Sequence, residues 1–172
     1  MKPDEAAYAK PGEVVFSLAP AWPRLLLGVA LTGCLSVTLI AIALGDQGSG
    51  IGRLFFAGCG LGTFFLTARM WRARLTTLEL TPEALFETGG GTRVLAQIKD
   101  IAKVERGALA MKPSAGFVVH LRDSQDRAWV PGLWWRIGRR VGVGGIVGAG
   151  QARAMAEFIE ILRLRSEEDP EP

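Results

Sequence analysis

Leu25-Leu26-Leu27-Gly28-Val29-Ala30-Leu31-Thr32-Gly33-Cys34-Leu35-Ser36-Val37-Thr38-Leu39-Ile40-Ala41-Ile42-Ala43-Leu44 is an apolar run without one charged side chain. As a helix rising about 1.5 Å per residue it crosses a hydrocarbon core of roughly 30 Å. A second run, Leu54–Ala68, follows the linker Gly45-Asp46-Gln47-Gly48-Ser49-Gly50. Ile51 and Gly52 lengthen it, Arg53 can reach the interface along its methylene stem, and Met70 and Trp71 fall at headgroup depth. The reading is a transmembrane helical hairpin over residues 22–71, with spans at about 25–44 and 51–70, carrying a water-soluble domain over 72–165.

The flanks orient the hairpin. Arg24 precedes the first span, Arg69, Arg72 and Arg74 follow the second, and the linker has no cation before Arg53. Lys and Arg concentrate on the cytoplasmic side, so both termini, including residues 1–21, are expected in the cytoplasm. Trp22 and Trp71 then share one interface. A cleaved signal peptide fits poorly, because a long mixed-charge segment precedes the run and no small-x-small site follows it. The formal net charge of +3 over 172 residues is too small a surplus to imply nucleic acid.

Small residues suggest how the spans pack. Gly58 and Gly62 form a G-x-x-x-G pair with Gly60 between them, and Gly28 and Thr32 form a second small pair across the hairpin. Such residues let backbones approach where lipid supplies no hydrophobic drive. Closure of the hairpin is the favoured use, and contact with another membrane protein or a homo-oligomer is the alternative. The hydroxyls of Thr32, Ser36, Thr38, Thr63 and Thr67 are weak grounds for a pore. The two cysteines, Cys34 and Cys59, read as small apolar residues, with no ligand set around either.

After Arg74 the pattern becomes that of short strands. Leu75–Leu80 and Leu85–Thr88 flank the turn Thr81-Pro82-Glu83, Gly89–Gly91 closes the second, and Arg93–Ala96 is a third candidate. Ile98, Ile101 and Val104 suit a strand with a bulge or one helical turn, with strand preferred. Phe117–Leu121 alternates, Asp123-Ser124-Gln125-Asp126 reads as a polar turn, and Arg127–Val130 as the returning strand. Gln151–Leu164 is an amphipathic helix whose apolar stripe is Ala152, Met155, Ile159 and Leu162. Residues 166–172 lack an apolar anchor and read as a disordered acidic tail.

The motif Leu78-x-Leu80-Thr81-Pro82-Glu83-x-Leu85, then Gly89–Gly91, then Ile98-x-Asp100-Ile101-x-x-Val104, resembles bacterial pleckstrin-homology-like (PH-like) domains. The resemblance covers Thr76–Leu164 and implies an α+β protein of a bacterial inner membrane: a two-helix hairpin, then a small β-barrel or curved sheet capped by the last helix. It implies binding or scaffolding and brings no catalytic residue.

A catalytic set does not assemble from the sequence. His120 is the sole histidine and shares a strand face with Val118 and Arg122. Ser114 and Ser124 lack a nucleophile-elbow context, and Asp123 and Asp126 suit a turn. No metal or cofactor is implied. The most unusual stretch, read as a loop before the last helix, joins Trp134, Trp135, Arg136, Arg139 and Arg140 to the glycines of 142–150. It lacks the phosphate-loop and dinucleotide fingerprints. Indoles and guanidinium groups suit an anionic lipid surface or a protein interface, so these five are the candidate contact residues. The expected function is a non-catalytic accessory or assembly factor of a larger membrane complex. The alternative is an anionic-lipid-sensing or oligomeric channel-like protein.

Overall fold

The computed structural model describes residues 12–45, 49–89, 91–106 and 116–168. The start of the N-terminal segment, linker residues 46–48, Gly90 of the glycine turn, Ser114 and tail residues 169–172 lie outside them. The chain is α+β: two long apolar helices, antiparallel sheets and a C-terminal helix.

Strand β1 (Phe16–Leu18) leads into α1 (Trp22–Leu44) and α2 (Gly50–Arg72). Pro23 sits in the first turn of α1, where its missing N–H costs nothing, and the Ser49 hydroxyl caps α2 by accepting from Gly52 N at 3.3 Å. A 3₁₀ turn (Ala73–Leu75) then delivers the chain to β2 (Thr77–Leu80), β3 (Ala84–Thr88) and β4 (Arg93–Gln97). These form an antiparallel sheet in the order β1-β2-β3-β4. Phe16 faces Leu80 and Leu18 faces Leu78, so the helical hairpin is an insertion between two hydrogen-bonded neighbours of one sheet. Phe16–Leu18, ahead of the hairpin, is therefore part of the same sheet as β2, which follows it.

A second 3₁₀ turn (Ile98–Asp100) precedes β5 (Ile101–Arg106), so both alternatives for that stretch occur in succession. Strands β6 (Phe117–Val130) and β7 (Trp134–Val143) complete a second antiparallel sheet, order β5-β6-β7. Two expectations are corrected here. The polar stretch Asp123–Asp126 is not a hairpin turn: β6 runs through it, and the reversal comes at 131–133, where Leu133 N donates to Val130 O at 3.1 Å. The polar stretch is instead where register slips, since His120 pairs with Arg140 and Gln125 with Gly138. Four residues of β6 bulge against Arg139 alone, and Gly138 absorbs the bend at φ +58°. The second correction is that the first half of the Trp/Arg/Gly stretch is strand, not loop.

Helix α3 (Ala149–Glu168) carries the expected stripe, with Ala152, Met155, Ile159 and Leu162 buried, and adds Ala156 and Phe158. It extends through residues 166–168, the start of the expected tail. Its Phe158 ring meets Phe16 of β1 at 5.3 Å between centroids. The core joins both sheets to α3 through Leu78, Leu80, Leu85, Ile101, Phe117, Val119, Val141 and Val143. Each large aliphatic or aromatic side chain buried there contributes about 1.5–3 kcal/mol.

Candidate membrane-facing site

The hairpin is closed by small residues and one hydroxyl. Ser36 Oγ, buried on α1, donates to Gly60 O of α2 at 2.9 Å. A side chain at Gly60 would lie 2.7 Å from Ile40 Cγ1 and 3.2 Å from Ile40 N, so only glycine permits that approach. Gly28 faces Met70, and a Cβ there would collide with it. Thr32 turns its hydroxyl back to Gly28 O at 2.8 Å. Gly58 and Gly62 face open space, so the close contact falls on the glycine between them. Arg53 Nε donates to Ala43 O at 3.0 Å, satisfying a C-terminal carbonyl of α1. Cys34 and Cys59 are free thiols.

Outside this seam the helices keep their apolar surface exposed. Leu27, Leu31, Leu35 and Val37 of α1 and Leu54, Phe55, Leu61, Phe64 and Phe65 of α2 are all more than half exposed. Both helices are long and apolar enough to cross a membrane.

The base of the hairpin is built into the domain. Leu25 and Ala73 are core residues, and Val29 and Met70 pack against them. Arg24 Nη1 donates to Val147 O at 2.7 Å, Ala21 N to Ile146 O at 2.7 Å, and Pro20 bridges to Val147. A collar of cations marks the same level: Arg69 lies over the Phe65 ring at 5.6 Å and Arg74 over Trp71 at 4.5 Å. Arg69 and Arg72, in the last turn of α2, also complement its dipole.

The five Trp and Arg residues singled out from sequence do not form one exposed face. Trp134 is 2% exposed and belongs to the core. Arg136, at 9%, is a cross-link between sheets: Nη1 donates to Val94 O (3.2 Å), Leu95 O (3.2 Å) and Gln125 Oε1 (2.8 Å), and Nε to Asp126 O (2.9 Å). Trp135 is half-buried, its indole lying over Gly142 where any Cβ would strike it. Arg139 and Arg140 are exposed.

The residues missed from sequence are those the fold gathers around the β6–β7 turn. Trp129 faces Trp135 across the ladder and is 45% exposed. Residues 129–135, with Gly144 and Gly145, meet Thr32, Leu66 and Met70 of the helices around an apolar cavity of about 340 Å³. The available signal was Trp129-Val130-Pro131-Gly132-Leu133, an apolar turn where a solvated hairpin would carry polar residues.

His120 sits on β6 with Nε2 3.3 Å from Glu105 Oε2, and Lys103 Nζ is 3.1 Å from Glu105 Oε1. The Lys103 hydrogen bond, then that of His120, holds the Glu105 carboxyl below its ordinary range. No group of three or more potential metal ligands occurs among the described residues. Comparison with protein families, with curated proteins and with solved structures finds nothing that matches this chain.

Proposed function

We propose that the chain is a non-catalytic, membrane-anchored interaction module: the α1–α2 hairpin spans a bacterial inner membrane with both termini in the cytoplasm, and a PH-like domain held at its base engages a membrane-protein partner as an accessory or assembly factor. The observation that carries this is the outward apolar surface of two long helices fused to a domain with its own core. A helix belonging to a soluble core buries such a surface, whereas one in lipid leaves it outward. Four strands, then three, then a covering helix support the PH-like reading. Splicing the hairpin between β1 and β2 suits an adaptor, because the domain is held by two strands rather than by one tether.

The test is purification of the full chain from native membranes in mild detergent. A stoichiometric membrane-protein partner is the expected result. Recovery of the chain with copies of itself alone overturns the adaptor role. Release from membranes by alkaline wash as a detergent-free monomer overturns the anchor as well.

A further inference from the structure

The cavity between the hairpin and the β6–β7 turn has a chemistry that selects its occupant. We infer that it binds one acyl chain of a bilayer phospholipid, a reading that rests on the hairpin spanning the membrane. Its helical wall is Thr32, Leu66 and Met70, and its strand wall includes Trp129, Leu133 and Trp135. Most polar groups around it are committed: Thr32 Oγ1 donates to Gly28 O at 2.8 Å, Leu133 N to Val130 O at 3.1 Å, and Gly144 N to Leu133 O at 2.9 Å, while the buried Trp134 indole N–H has no partner among the described residues. A polar ligand would lose its water against a lining that is mostly apolar and offers one unpartnered donor, so the occupant is apolar. At about 340 Å³ the space is of ligand size and exceeds what one inserted side chain fills.

Position selects a lipid among apolar occupants. Leu66 lines the cavity, is 42% exposed, and directly follows the exposed Phe64 and Phe65 in α2, so the cavity borders the apolar surface of the hairpin. Leu66 lies three residues, about 4.5 Å along the axis, to the membrane side of Arg69. A phosphate at the level of Arg69 thus leaves its chain beginning at the cavity's depth. Trp129 and Trp135 supply indoles where the headgroup region gives way to hydrocarbon, the depth such rings favour.

The experiment uses the full chain reconstituted into vesicles containing a phospholipid with a diazirine on one acyl chain, with photolabelled peptides mapped by mass spectrometry. Label is expected on the 129–135 turn as well as on the outer faces of both helices. Thr32→Phe, and separately Leu66→Phe, fill the cavity and are expected to lower the turn's label at least about five-fold relative to the helices' label. Label on the helices but not on the turn overturns the acyl-chain site and leaves the spanning hairpin intact. Label absent from the helices overturns the spanning hairpin itself. Turn labelling unchanged in both variants shows general contact with the bilayer and overturns a defined cavity site. Turn labelling of the purified chain that vanishes in native membranes assigns the cavity to a protein partner and also overturns the proposal.

Discussion

Ser36 on α1 and Gly60 on α2 share a 2.9 Å hydrogen bond where a Cβ on the glycine would crowd Ile40 of the facing helix. Side-chain hydrogen bonds between membrane helices are worth about 0.6 kcal/mol on average and up to about 1.7. Ser36→Ala is therefore expected to weaken the hairpin by an amount in that range. Gly60→Val costs more, about 1–3 kcal/mol, because its side chain meets Ile40 Cγ1 first and, behind it, the Ile40 backbone N that cannot rotate away. Gly58→Val and Gly62→Val, facing open space, leave the pair nearly unchanged. Reversible unfolding of the full chain in mixed micelles, titrated with SDS, ranks the four; equal losses at Gly58 and Gly60 contradict the seam.

Arg136 behaves as a structural cross-link. Arg136→Met retains much of the apolar stem but strips donors from the part-buried carbonyls of Val94 and Asp126 and the buried one of Leu95, and a buried acceptor left unpaired costs about 1–3 kcal/mol. Arg139→Ala and Arg140→Ala, at exposed positions, change stability by less than about 0.5 kcal/mol. Thermal unfolding followed by circular dichroism separates them. A destabilisation at Arg139 or Arg140 as large as at Arg136 counts against this division.

Glu105 gives the domain an acid-sensitive contact. Its carboxyl is held below the ordinary range first by Lys103 and then by His120, so the unfolded chain takes up a proton at higher pH than the folded one. The contribution is complete above the unfolded carboxylate value of about 4.3 and disappears as pH falls through the lowered folded value. The thermal midpoint of the full chain is expected to drop across that interval, and less steeply in Glu105→Gln. Parallel profiles for the two proteins remove Glu105 as a source of acid sensitivity.

What could be read from the sequence divides along physical lines. The apolar runs, the Thr81-Pro82-Glu83 turn and the α3 stripe were legible because each is a local pattern: an uncharged length, a turn chemistry or a helical period. Strand β1 was not, since three residues carry little signal and the partner of Phe16 is Leu80, beyond the whole hairpin. Gly58 and Gly62 matched a motif, but spacing does not say which side of a helix meets its neighbour, and the packing chose Gly60. Asp123–Asp126 has turn residues because a bulge needs them as much as a reversal does. Trp134 and Arg136 looked like contact residues until the register placed one in the core and the other against β4.

Gly142 and Trp135 give the sharpest check on the β7 bend, since they lie seven residues apart on one strand and still touch. A straight strand rising about 3.3 Å per residue would hold them more than about 20 Å apart, so the contact exists only if the strand folds back at Gly138. Gly142→Ala drives a methyl group into the indole and is expected to cost about 1–3 kcal/mol. Trp135→Ala loses packing of its own, but it vacates the space the methyl group needs. The double variant should therefore be less destabilised than the sum of the singles by about 0.5–3 kcal/mol, the range for directly coupled side chains. Chemical denaturation of the four proteins in detergent measures the cycle. Strict additivity would place the two residues apart and remove the bend.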